Sequence, residues 1–156
     1  MRTGASQSID GVVVRPLTIV SDDRGAVLHM LRADDPQFVR FGEIYFSVVN
    51  PAAVKAWRRH REMVLHYAVP RGHVRVVVFD DRPASPTRGA VMEIETGESR
   101  YSLITIPAGT WNGFMGLGDQ PSLVANCAST PHDPAEVERR PHDDPSIPYV
   151  WSIRGR

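Results

Sequence analysis

The segment 54–60, VKAWRRH, gathers side chains suited to chemistry on a charged ligand. His60 can take up and release a proton near neutral pH. Arg58 keeps its proton, because a guanidinium has a pKa above about 12. Two positions apart on a β-strand, these residues share one face. The segment therefore combines a proton-transfer group with a permanent cation.

Length and charge limit the classes of function. The 156 residues suffice for one domain, 1–156, with one buried core. Eighteen basic residues balance eighteen acidic ones, so no net positive field favours nucleic acid or a membrane as a partner. No stretch reaches the roughly 20 apolar residues of a membrane span, and the start lacks a signal peptide's apolar core. The single Cys127 is expected to be a buried thiol in a cytoplasmic protein.

Short segments rich in Val, Ile and Tyr recur between turn signals along the chain. Strands of this length and spacing predict an all-β sandwich or barrel. The segments are GVVVRPLTIV, GEIYFSVV, MVLHYAV, HVRVVVF, AVMEIE, YSLITI and SLVANC.

Alternation and turn residues predict finer features. In HVRVVVFD, Val74, Val76 and Val78 share the expected core face. Helical periodicity is weak except in DPAEVERR, where Asp133 is a candidate cap for a helical turn. The tail after Asp143 is expected to pack as an extended arm carrying Tyr149 and Trp151.

Five motifs, in order, resemble the dTDP-4-dehydrorhamnose 3,5-epimerase family. They are DDRG at 22–25, VKAWRRH at 54–60, DDRPASPTRG at 80–89, ITIPAGTWNGF at 104–114 and HDDPSIPYVW at 142–151. The resemblance spans about residues 14–151 and implies a cupin-type jelly roll, a double-stranded β-helix, with short peripheral helical turns. It also implies a nucleotide-sugar ligand, no cofactor, and a homodimer in which an N-terminal strand crosses to the partner.

The family's reaction is proton transfer beside a ketone. A base removes the proton on the carbon next to the keto group, and an acid returns one on the opposite face. A cation holds the developing enolate and others hold the diphosphate. The resemblance assigns the diphosphate to Arg24 and Lys55, with a turn arginine paired to Asp22 or Asp23 as the alternative for Arg24. Trp57 and Trp111 are predicted either to line the substrate pocket or to pack in the core.

The proton-transfer positions depart from the family pattern. Arg58 occupies the slot of the base, Asn112 that of a second histidine, and Pro131 with His132 that of the tyrosine acid. The resemblance leaves His60 as the candidate base, with a pocket-lining hydrogen-bond donor as the alternative. Arg58 is then the candidate enolate stabiliser, Asn112 a carbonyl hydrogen-bond donor, and His132 the candidate acid.

The same slots bear on metal binding and on the function. Metal-binding cupins need about three histidines and a carboxylate, whereas only His60 remains here, so no metal site is expected. The leading hypothesis is an epimerase or isomerase of a dTDP-4-keto-6-deoxyhexose in deoxysugar or polysaccharide biosynthesis. The alternative is a catalytically silent binding or regulatory homologue.

Overall fold

Short segments that carry Val, Ile or aromatic residues form the strands of the computed structural model, which describes residues 6–153. One 3₁₀ turn, Glu98–Arg100, interrupts them. The strands are β1 (Val13–Pro16), β2 (Ile19–Asp22), β3 (Gly25–Leu28), β4 (Glu43–Val49), β5 (Val54–His60), β6 (Leu65–Arg71), β7 (His73–Phe79), β8 (Val91–Gly97), β9 (Ser102–Ile106), β10 (Trp111–Gly116), β11 (Ser122–Ala128) and β12 (Val137–Arg139).

The described strands form two five-stranded sheets and a separate hairpin. The first sheet has the order β1-β9-β6-β11-β4, the second β12-β5-β10-β7-β8, and β2 pairs with β3. Pairing within the sheets is antiparallel, as for β7 with β8 and β11 with β4. The all-β jelly roll with a peripheral 3₁₀ turn is confirmed.

The core lies between the two sheets. The predicted core face of β7 is confirmed, because Val74, Val76 and Val78 are fully buried in one apolar cluster with Ile104 and Phe114. This pattern follows from the strand period of two, which sends alternate side chains to opposite faces of the sheet.

The other face of the second sheet is covered by the C-terminal arm. Trp57 and Trp111 pack there with Ile147, against Tyr149 and Trp151. The rings of Trp57 and Trp151 lie 5.1 Å apart between centroids, and those of Tyr149 and Trp151 lie 4.9 Å apart. The predicted arm is confirmed, and its aromatic contacts replace solvent over a sheet face that would otherwise be apolar and exposed.

The predicted helical turn in DPAEVERR is wrong. Asp133 does accept a hydrogen bond from the N–H of Ala135, but the turn at 134–136 that follows it does not continue as a helix. The chain then continues as β12, antiparallel to β5. The backbone of β12 finds its hydrogen-bond partners on the edge of β5, and this tertiary pairing outweighs a weak local helical preference.

The turn after β7 is organised by Asp80. Its carboxylate is buried and accepts hydrogen bonds from Arg82, Ser85 and Thr87. Burial alone would raise the pKa of Asp80, but these hydrogen bonds outweigh it and hold the pKa well below its ordinary value. The motif DDRPASPTRG is therefore a scaffold element that stays ionised through the physiological range.

Candidate functional site

A pocket of about 290 Å³ opens between β4, β5 and β12. Arg58 and His60 reach it from the same face of β5, and His132 reaches it from the segment after β11. The pocket thus brings together three of the four residues proposed for proton chemistry. Its lining residues are Glu43, Tyr45, Arg58, His60, Met63, His132, Val137 and Arg139.

His60 is held by a carboxylate that its local sequence does not reveal. Its Nδ1 is hydrogen-bonded to Glu136, 76 positions later in the chain. The second carboxylate oxygen of Glu136 accepts the backbone N–H groups of Glu62 at 3.1 Å and Met63 at 3.3 Å. Three donors therefore fix the carboxylate of Glu136, which does not itself belong to the pocket lining.

The charge state of Glu136 makes it a hydrogen-bond acceptor for the imidazole of His60. Burial acts to raise its pKa, but the hydrogen bonds from His60 and from the backbone of Glu62 and Met63 prevail, and the pKa lies below its ordinary value. An ionised carboxylate accepts hydrogen bonds only, so Nδ1 of His60 must carry a proton. When the imidazole is neutral, Nε2 then has a free lone pair, and residues 6–153 supply no hydrogen-bond partner for it.

Asn112 lies behind the pocket wall. Its Oδ1 accepts the hydroxyl of Tyr67 at 3.1 Å, and its Nδ2 donates to the carbonyl of Arg58 at 3.2 Å. It is 2 % exposed, and the pocket lining does not include it. Asn112 therefore fixes the backbone that carries Arg58, and this placement does not support the predicted role as a donor to a substrate carbonyl.

Tyr67 completes this buried network. Burial and the neighbouring Tyr45 raise the pKa of its hydroxyl, so it remains protonated and donates to Asn112. The sequence analysis missed this residue, because the segment MVLHYAV shows only a buried strand. The register of β10 against β5 sets Asn112 opposite Arg58, so the amide of Asn112 reaches the carbonyl of Arg58 on one side and the Tyr67 hydroxyl on the other.

The two predicted phosphate-binding cations lie outside this pocket. Lys55 points between the sheets and donates to Ser47 Oγ at 2.8 Å. Arg24 lies on the β2–β3 hairpin, where its side chain is 85 % exposed and pairs with Asp22 at 2.6 Å. The alternative of a turn arginine thus describes Arg24 within a single chain.

Trp57 and Trp111 do not line the pocket. They are 1 % and 0 % exposed and belong to the cluster beneath the C-terminal arm. Their indole N–H groups are satisfied by the carbonyl of His142 and by Asp81. This placement favours the predicted alternative of core packing, because Trp57 falls on the opposite face of β5 from Arg58 and His60.

Three other findings concern metal binding, the cysteine and membrane spans. Among residues 6–153 there is no group of three or more His, Cys, Asp and Glu side chains arranged to hold a metal ion. Cys127 is partly buried, and this burial raises the pKa of its thiol. In the same part of the chain, no helix has the length and apolar character needed to cross a bilayer.

Comparison with known proteins places the whole described chain in one group. Residues 6–155 match the family model described as dTDP-4-dehydrorhamnose 3,5-epimerase. A probable low-salt glycan biosynthesis epimerase, Agl13 of Haloferax volcanii, is 37% identical over 149 residues, covering 93% of this chain and 96% of the relative. The spore coat polysaccharide biosynthesis protein SpsL of Bacillus subtilis is 31% identical over 150 residues, covering 95% and 99%.

A solved structure agrees with this grouping. The crystal structure of a dTDP sugar isomerase from Desulfovibrio desulfuricans G20 superposes with a TM-score of 0.90 at 47% identity, covering 92% of each chain. The epimerase of Mycobacterium tuberculosis, at 21% identity and a TM-score of 0.82, shares the fold, with 95% of this chain and 78% of that chain covered. On its motifs, its fold and these matches, the chain belongs to the dTDP-4-dehydrorhamnose 3,5-epimerase family.

Proposed function

We propose that the protein is an epimerase or isomerase of a dTDP-linked 4-keto-6-deoxyhexose in the cytoplasmic biosynthesis of a deoxysugar or polysaccharide. The observation that carries the proposal is the pairing of His60 with Glu136 at the wall of the pocket. It provides an oriented imidazole in a fold whose family carries out proton transfer beside a ketone.

The proposed reaction begins at Nε2 of His60. Nε2 takes the proton from the sugar carbon next to the keto group, and the electrons of the broken C–H bond move to the keto oxygen to give an enolate. Glu136 accepts the hydrogen bond from Nδ1–H throughout and stabilises the imidazolium that forms. Return of a proton to the same carbon from the other face inverts its configuration.

Arg58 and His132 complete the proposed step. A guanidinium about 4 Å from a full negative charge stabilises it by about 4 kcal/mol at an effective dielectric constant of about 20. Arg58 lines the pocket and is proposed to hold the enolate oxygen in this way. His132 reaches the pocket from a different segment than His60, and it is the proposed acid.

The test of the function is proton NMR in deuterated water with dTDP-4-keto-6-deoxyglucose. We expect deuterium to replace hydrogen at sugar carbon three, carbon five or both, at a rate that scales with protein concentration. The carbon that exchanges identifies the reaction as single or double epimerisation.

The alternative function is a silent binding or regulatory homologue, and it has its own observation in favour. Arg58 cannot act as a base, and Asn112 cannot transfer a proton. Saturable binding of the nucleotide sugar without deuterium exchange in the same sample would establish this alternative and reject the enzyme.

A homodimer is part of the proposal. Along β4 the outward side chains are apolar and exposed: Ile44 is 51% exposed, Phe46 61% and Val48 57%. The β2–β3 hairpin adds Val20 at 54% and Val27 at 60%. Apolar surface of this kind marks an interface. We propose that the partner covers it and that the hairpin carrying Arg24 reaches the pocket of the other copy.

For the proposed dimer, we expect a mass of about 35 kDa by sedimentation, twice the chain mass of 17.3 kDa. Phe46→Asp is expected to shift the mass to that of a single chain, because a carboxylate cannot be buried against an apolar partner without a large desolvation cost. Val150→Asp is the control, since Val150 is 82% exposed on the arm. A wild-type protein that sediments as one chain would contradict the proposal.

A further inference from the structure

Two arginines stand directly opposite each other at the wall of the pocket. In the antiparallel pair of β5 and β12, Arg58 is the Cα partner of Arg139. Both side chains line the pocket. Opposed residues on paired strands have Cβ atoms about 5 Å apart, and like charges in this arrangement destabilise the sheet. Folding alone therefore gives no reason for this pair.

The next register position shows what the same two strands do when charge is balanced. Arg59 stands opposite Glu138, and its guanidinium binds that carboxylate at 2.8 Å and Asp81 at 3.1 Å. This balanced pair lies on the outer face. The unbalanced pair, Arg58 and Arg139, lies on the pocket face.

Nothing within residues 6–153 neutralises the pocket pair. Neither guanidinium forms an ion pair or hydrogen bond with a side chain or carbonyl of the described chain. Glu43 is the one carboxylate among the pocket-lining residues, and it pairs with neither arginine. Glu136, behind the wall, is already occupied by His60 and two backbone N–H groups.

We propose that Arg58 and Arg139 form an anion clamp that binds one oxyanion of the ligand, a phosphate or a carboxylate. Two guanidinium groups present a fork of N–H donors on each side, which suits the paired oxygens of either group. Each guanidinium has five donors, so Arg58 can hold the clamped group and still face an enolate oxygen. The clamp explains why an arginine occupies the position where the family places its base.

The proposal rests on the proposed function only for the identity of the ligand. The oxyanion is either the nucleotide diphosphate or a carboxylate on the sugar ring, and two probes separate these sources. dTDP carries the diphosphate without a sugar, and glucuronate carries the carboxylate without a phosphate. Glucose serves as the uncharged reference.

In the experiment, each probe is titrated with the wild type, Arg139→Gln, Arg139→Lys and Arg61→Gln. Binding is monitored by line broadening in the NMR spectrum of the probe. Arg139→Gln is expected to lower the affinity for the anion by about 10- to 100-fold, the range for losing a charge-assisted hydrogen bond. Arg139→Lys keeps the charge but loses the forked pair of donors, so its affinity for the anion should lie between those of the wild type and Arg139→Gln. Arg61→Gln removes the same charge from a 67% exposed side chain outside the pocket lining and should stay within about twofold.

Each outcome decides the proposal. An effect on dTDP alone assigns the clamp to the diphosphate, and an effect on glucuronate with no binding of glucose assigns it to a sugar carboxylate. Unchanged affinity for both anions in Arg139→Gln would overturn the clamp. Equal losses of affinity in Arg139→Gln and Arg61→Gln would also overturn it, because they would indicate only a long-range electrostatic attraction. Anion binding without deuterium exchange would support the clamp and contradict the proposed epimerase activity.

Discussion

Replacing His60 by glutamine is expected to slow deuterium incorporation into the nucleotide sugar by about 10²- to 10⁴-fold, the usual contribution of a positioned general base. Glutamine fills a similar volume and can hydrogen-bond, but it cannot accept the proton from carbon. Its amide can still bind the carboxylate of Glu136, so the pocket wall should persist. The exchange rate is measured by proton NMR at saturating substrate, with dTDP affinity measured alongside and expected within a few-fold of the wild type.

The matched control for this prediction is His73→Gln. His73 also faces a glutamate, with its Nε2 3.4 Å from Glu95, but it lies outside the pocket lining. Its replacement should leave the exchange rate unchanged. If His60→Gln exchanged deuterium as fast as the wild type, His60 would have no role as the base.

Glu136→Gln is expected to have the second large effect on the exchange rate, and it tests how the imidazole of His60 is oriented. The amide has one oxygen for two sets of donors, the N–H groups of Glu62 and Met63 on one side and Nδ1–H of His60 on the other. If the oxygen stays with the backbone donors, its NH₂ group faces Nδ1, and the imidazole must move its proton to Nε2. Nε2 then has no lone pair for the substrate. We expect exchange to slow by about 10²-fold or more, since a wrong tautomer disables a histidine base.

The tautomer itself gives a readout that does not depend on turnover. Nitrogen NMR of the imidazole should report a proton on Nδ1 in the wild type and on Nε2 in Glu136→Gln. Glu138→Gln is the control, because Glu138 lies two positions away, binds Arg59 and belongs to the outer face. An unchanged tautomer together with an unchanged rate would show that Glu136 only supports the fold.

Much of the architecture could be predicted from local pattern. Alternation in HVRVVVFD identifies the core face of β7, because a strand sends successive side chains to opposite faces. The same rule places Arg58 and His60 together on β5. The order of five motifs indicates the family and the jelly roll, and the tail composition indicates an arm.

Strict alternation fails near the start of β5. Lys55 and Arg58, three positions apart, both have their side chains on the inner side of the second sheet. The register of β10 against β5 shifts between Asn112 and Phe114, and such a bulge changes which side chains share a face. Trp57 is thereby separated from its basic neighbours and packs beneath the arm. A pattern along one strand cannot reveal a shift that depends on its partner.

The sequence by itself determined the strands, the family and the presence of a histidine and an arginine on one face of β5. Only the tertiary structure decided that Glu136 holds His60, that Arg139 stands opposite Arg58, and that Asn112 supports the wall from behind. The physical reason is range. Backbone periodicity is set by neighbours along the chain, whereas these contacts join residues 54 or more positions apart and exist only once β5 has acquired β10 and β12 on its two sides.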